Sequence, residues 1–445
     1  MIVKFSGISG AAWLLVAGLA GPAAWAQPTA ISTSTSTPAP SPAASPALPA
    51  LDSFFGHPDL AQPMLSPSGR WLATLVRGQT PGQRNMLAVI DLQQASPIKV
   101  LGQFKDADIG DLHWVGEEHL VFNVVDVQAG GGERRFAPGL FSVNRAEGTL
   151  RELVRLRRDF IVSGGTGSAD RRLDYNHMLL HVRQAGAGGG SEVIVGEFQW
   201  SGRGAVQSIA PKRLDVRTGR VRSIAQGTPD YTRSWLFDAA SEPRVALAGL
   251  GAQRRVHWRA PGQDDWVVLL EADALHMPWA PHSVDSVGQL YVTTSTGPGG
   301  TRELWRFDFS SGQPASAPLV TVAGFDFAGY LVSETSGGHV LGVRVDADAE
   351  TTVWLDPRMN AVQEEVDRRL TGLINRISCR RCDSDERVLL IQSWSDRDPG
   401  QITIWRGAAQ PLDRVGSTMK GIEPARMATL DLHRIRARDG LELPV

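Results

Sequence analysis

The chain has 445 residues, of which 42% are hydrophobic and 21% charged. That excludes a disordered chain and leaves two or three domains or one large repeat architecture. Forty-five basic residues against 47 acidic ones give a net charge of −2, without the basic footprint of a nucleic-acid binder, and two cysteines exclude a disulfide scaffold and a four-cysteine zinc site.

Residues 1–26 read as an export signal. Lys4 gives a positive start, an apolar run follows from Ala11 to Ala20, Gly21-Pro22 breaks it, and Ala24-Trp25-Ala26 is the small-x-small pattern of a cleavage site. The apolar run is short for a bilayer span. The expectation is cleavage after Ala26 and a secreted or periplasmic protein, with no membrane attachment once the signal is removed. Residues 27–50 are rich in Ser, Thr, Pro and Ala and carry no charge, so they read as a disordered linker.

From residue 51 the pattern changes. Short apolar runs of strand length alternate with Gly, Pro, Asp and Asn clusters, as in Trp71–Val76, Leu87–Leu92, Leu120–Val125, Leu290–Thr293 and Val388–Ile391. They group into seven units. These are Met64–Leu92, Leu112–Val154, Leu173–Ile224, one opening at Ser234, Val284–Phe309, Gly329–Pro357 and Ile374–Arg406. Units of about 50 residues suit four-stranded propeller blades. The predicted fold is therefore all-β, a seven-bladed β-propeller over 51–422. Several units contain a strand ending in Asp (Asp91, Asp308, Asp356), whose carboxylate can accept from the next turn. The tryptophans at strand positions are expected to pack blades together. One helix is expected over Ala361–Leu370, with Ala361, Val362, Val366 and Leu370 on one face.

Few residues carry recognisable chemistry. The chain contains no Gly-x-Ser-x-Gly elbow, no His-Glu-x-x-His and no phosphate-binding glycine loop. The histidines are scattered and read as structural or surface groups. The acidic clusters Asp106-Asp108-Asp111, Asp346-Asp348-Glu350 and Asp383-Asp385-Glu386 fall in turns and are weak calcium candidates. No metal or cofactor is expected. Cys379-Arg-Arg-Cys382 is the one thiol motif. It can be a redox pair, half a metal site or a local disulfide, and the export signal favours a bridge between Cys379 and Cys382.

The C-terminal stretch contains Ser395-Asp396-Arg-Asp398-Pro399-Gly400, Met427-Ala428 and Arg438-Asp439-Gly440-Leu441. In this order the motifs resemble the junction of secreted bacterial peptidases of the prolyl oligopeptidase family. Leu65-Ser-Pro-Ser-Gly-Arg-Trp71, Leu112-His-Trp-Val115, Ser234-Trp-Leu-Phe-Asp238 and Leu304-Trp-Arg-Phe-Asp308 are similar to that family's propeller. The resemblance implies that 423–445 is a linker and the first strands of an α/β-hydrolase domain. It further implies a propeller that screens peptide substrates for a Ser-Asp-His domain, missing here or on a separate chain. No residue matches a member of that triad, so the chain alone is expected to be inactive. A second expectation is a periplasmic propeller that binds a protein or peptide partner. A propeller enzyme with a central metal is the weakest, since no ligand set is visible.

Overall fold

The computed structural model describes residues 49–78, 84–94, 97–126, 138–156, 171–183, 190–334, 339–407, 409–440 and 442–445. The expected export signal and almost all of the expected linker lie outside these residues.

The described chain forms a seven-bladed β-propeller. The blades span residues 60–103, 108–154, 177–223, 232–273, 280–314, 329–354 and 374–417. Within each blade the strands pair antiparallel in chain order. This order fixes two faces. Turns after the first and third strands lie on one, the turn face. Turns after the second strand and the crossovers between blades lie on the other, the crossover face.

The strand-ending acids work as the sequence suggests. Asp91 accepts from the amide of Gln93 at 3.0 Å, and Asp308 from that of Ser310 at 2.9 Å. Asn144 and Asp215 do the same after the third strands of blades 2 and 3, with bonds from Ala146 at 2.8 Å and Arg217 at 3.0 Å. Each such bond satisfies a turn amide that no strand partner reaches.

Blade 6 differs. It has three strands, and a helix over Pro357–Arg369 follows where other blades place a fourth. The helix begins four residues before the expected start because Asp356 caps it, accepting from the amides of Arg358 and Met359, with Pro357 in the first turn. Val366 is buried and Val362 and Leu370 pack against the same cluster, as expected; Met359 joins them, and of the expected face only Ala361 is exposed.

The core is divided among the interfaces between blades. Apolar clusters join blades 1 and 2 (Leu87 with Phe122), 2 and 3 (Val121 with Val195), 4 and 5 (Trp258 with Phe307), and 5 and 6 (Leu304 with Val343). Two more join blades 6 and 7 (Trp354 with Ile391) and 7 and 1 (Leu390 with Leu72). Among the described residues, the interface of blades 3 and 4 is more polar. There Arg213 donates to the Ser241 carbonyl at 3.1 Å, Trp235 Nε1 donates to the Ile209 carbonyl at 2.8 Å, and His181 stacks on Phe237. Trp114, Trp258, Trp279, Trp354 and Trp405 are buried between blades, whereas Trp200 is 37% exposed.

Candidate functional site at the seam of the last and first blades

The chain itself crosses every interface between blades except that of blades 7 and 1. All strands of blade 1 come from the first part of the ring and all strands of blade 7 from the last, so no shared sheet closes it. Closure falls to side chains. At mid-seam, Leu60, Leu65 and Leu72 pack on Val388, Leu390, Ile402 and Ile404.

On the turn face, Arg380 crosses the seam. It donates from Nη2 to the Leu65 carbonyl at 2.9 Å and from Nε to the Ser66 carbonyl at 3.1 Å. Burial pushes its guanidinium down to about 10, so it stays charged at neutral pH. Arg406 adds a bond to the Leu92 carbonyl at 2.7 Å. On the crossover face the amide of Asp59 donates to the Thr418 carbonyl at 2.7 Å, tying chain entry to chain exit.

Near the crossover face the two blades part, leaving a cavity of about 300 Å³. Register shows which side chains face it. Arg376, Gln392 and Ile402 are cross-strand partners on the side of blade 7 that meets blade 1. Opposite them lies Leu60–Pro63, where the strand bulges and Gln62 adopts φ 47. A non-glycine residue in that region stores strain, and bulges re-aim side chains. Asp111 holds the corresponding place in blade 2, with φ 44. Arg376 lies over Trp394 and pairs with Glu350, which raises its pKa above the usual value and neutralises its charge.

The crossover face also carries the C-terminal segment. Leu430 donates its amide to Asp396 at 2.9 Å. Arg434 reaches Asp348 at 3.7 Å and lies over Phe325. Beyond it, Arg434–Arg436 pairs with Glu442–Pro444 as a two-stranded hairpin. Leu432 is 44%, Ile435 50% and Val445 57% exposed there.

The sequence candidates fall as follows. Cys379, near the end of the first strand of blade 7, and Cys382, in the turn after it, are joined, with Cα atoms 5.7 Å apart. The acidic clusters are dispersed onto cations: Asp108 onto Arg84, Asp348 onto Arg434, Glu350 onto Arg376, Asp383 onto Arg358 and Glu386 onto Arg381. His339, Asp356 and Asp383 bring ligand atoms within 4.8 Å of one another, but Arg358 pairs with both carboxylates there. His282 accepts or donates at Nδ1 to Ser283 Oγ at 3.0 Å, and its Nε2 meets the Gly329 carbonyl at 3.1 Å. That carbonyl holds the Nε2 proton and leaves Nδ1 to accept from Ser283. The seam residues Gln62, Arg376, Gln392 and Trp394 carried no local signal. Arg380 lies between the two cysteines of the thiol motif, and nothing in its local sequence marks it as a seam residue.

No family model matches the chain, and no curated protein matches it. Solved structures do. One, from work on two prolyl endopeptidases, is 14% identical, with a TM-score of 0.52, over 88% of this chain and 54% of that one. A puromycin-hydrolysing peptidase of Mycobacterium tuberculosis is 13% identical, with a TM-score of 0.47, over 88% and 59%. Dipeptidyl peptidase 4 of Porphyromonas gingivalis is 10% identical, with a TM-score of 0.39, over 86% and 57%. The chain thus spans a little over half the length of these structures. In fold, it is similar to the propeller portion of a prolyl endopeptidase.

Proposed function

We propose that this chain is the substrate-screening propeller of an exported serine peptidase of the prolyl oligopeptidase type. It works with an α/β-hydrolase domain that supplies the catalytic serine, aspartate and histidine, either encoded beyond Val445 or carried by a separate chain. The observation that carries this reading is the hairpin on the crossover face. Two short strands make a marginal sheet, and here their apolar residues Leu432, Ile435, Leu443 and Val445 stay at least one-third exposed. A further strand from a neighbouring domain would cover them. The likeness in fold to a prolyl endopeptidase supports the same reading.

On this reading the chain alone does not hydrolyse peptides. Acyl transfer needs an activated nucleophile, a base and donors for the oxyanion, and binding a peptide without them does not speed the reaction. Purified chain is assayed on acyl-aminoacyl and prolyl chromogenic peptides and treated with a fluorophosphonate probe. The expected result is no turnover and no labelled serine. Stoichiometric labelling, with turnover lost on mutation of the labelled serine to Ala, defeats the reading. Ser283, bonded to His282, is the first position to inspect. Reading the gene past the Val445 codon, in all frames, for a Gly-x-Ser-x-Gly segment tests the partner domain. N-terminal sequencing of exported protein tests cleavage after Ala26.

The seam cavity favours a second reading, a periplasmic binding module. An unrelated gene downstream, together with peptide binding by the isolated chain, would select it.

A further inference from the structure

We propose that the Cys379–Cys382 bridge is a brace that holds Arg380 as the clasp of the propeller ring. The two sides of one strand divide the work. Cys379, with Ile377, faces the cluster of blade 6, the helix and blade 7, in which both cysteines are buried together with Met359, Val366 and Trp405. Arg380, next in the strand, points the opposite way, across the seam into blade 1. The bridge therefore fixes the backbone on either side of Arg380 to the rigid body of blades 6 and 7. It also spans Arg381, which sits at φ 52, where an unbraced arginine would relax.

The receiving side is equally constrained. Arg380 donates to the Leu65 and Ser66 carbonyls of blade 1 and to its neighbour's carbonyl, that of Cys379, at 3.0 Å. Gly69 closes the turn that presents these carbonyls, at φ +75. A Cβ there would lie 3.0 Å from Val388 Cβ and 3.3 Å from Arg380 Cβ. The turn of blade 1 is thus seated directly on blade 7. Arg406, by contrast, has a side chain 32% exposed, where water can replace its bonds. Arg380 is only partly buried as a residue, but its guanidinium is desolvated enough to lower its pKa and it holds three carbonyls, so its loss leaves carbonyls unsatisfied at the one interface that the chain does not cross. Cys379 and Cys382 are themselves only 6% and 3% exposed, which suits a permanent brace.

A brace acting only on the unfolded chain would stabilise every blade alike, and so small a loop would do so modestly. A clasp acts locally, and native-state hydrogen exchange of the full chain separates the two. Arg380→Ala and the paired change Cys379→Ala with Cys382→Ala should each speed exchange about tenfold in Leu60–Leu65, Trp71–Val76 and Val388–Trp394. Pro243–Leu250 in blade 4 and Leu290–Thr294 in blade 5 should keep their rates. The triple change should exchange no faster at the seam than Arg380→Ala, since bridge and arginine serve one constraint. Equal acceleration in all blades, or multiplied effects in the triple change, overturns the proposal. Arg380→Lys covers the case in which the alanine variant does not fold. A point ammonium cannot satisfy three carbonyls as the planar fork does, so its seam should exchange at an intermediate rate. A seam as protected as the wild type in that variant also overturns the proposal.

Discussion

Arg213, in the third strand of blade 3, donates from Nη2 to the carbonyl of Ser241 in blade 4 at 3.1 Å, and both residues are buried. The same guanidinium pairs with Glu242, whose side chain is 43% exposed. Blades 3 and 4 are thus joined by a buried cation where other interfaces use apolar clusters. Arg213→Ala leaves a buried carbonyl unpaired and should cost about 2 kcal/mol. Arg213→Met restores packing volume and should recover part of that loss. Urea midpoints of the two variants check both.

Trp114 makes a comparable tie, with Nε1 donating to the Met64 carbonyl at 3.0 Å between blades 2 and 1. Trp114→Phe keeps much of the ring and removes the donor, so about 1 kcal/mol should be lost. Trp114→Ala adds a cavity and should cost about 3–5 kcal/mol. Chemical denaturation resolves the two steps, and an unchanged midpoint in Trp114→Phe would show that the hydrogen bond contributes nothing.

Stability should fall on mild acidification. Burial pushes His181 down from its ordinary value of 6.5 to about 4. Burial also lowers His113 and His282. Between those two values the unfolded chain binds the proton and the folded one does not. The His181 contribution is therefore complete above pH 6.5 and is lost as pH falls towards 4, up to about 3 kcal/mol. Asp356 acts in another window. Arg358 holds it down to about 2, so its contribution persists above the usual carboxylate value and is lost only as pH falls towards 2. His181→Leu, which keeps an apolar contact with Phe237, should flatten the dependence of the urea midpoint between pH 7 and 4.5. An unchanged slope in that variant would refute the assignment.

Asp356 caps the helix with bonds from Arg358 and Met359 amides at 2.8 and 3.2 Å. Asp356→Ala should cost about 1 kcal/mol, and Asp356→Asn, which keeps the acceptor, clearly less. Thermal melts followed by circular dichroism distinguish the pair. Equal losses would mean that the ion pair with Arg358, and not the cap, carries the effect.

The blades were legible where local chemistry repeats. Met86–Asp91 combines an apolar run with a terminal Asp that closes its own turn, and both features lie within a few residues of one another. The outer strand Lys99–Gln103 was not legible, because an edge strand with two exposed leading residues lacks the apolar signal of a central one. The helix starts at Pro357 because Asp356-Pro357 is a capping pair, a signal that in sequence is indistinguishable from an Asp closing a strand.

Local periodicity, with side chains bonding to amides two or three residues away, sets the inner strands, their turns and the number of blades. The sequence by itself also placed two cysteines close enough to bridge. The tertiary structure alone decided how the ring closes. Arg380 and Ser66 stand 314 residues apart, and no local pattern marks either as the other's partner. The seam cavity has the same origin: Gln62, Arg376 and Gln392 are ordinary strand residues until two blades from opposite ends of the chain are brought side by side. Contacts of that kind follow from the summed geometry of all the blades, which no short window of residues contains.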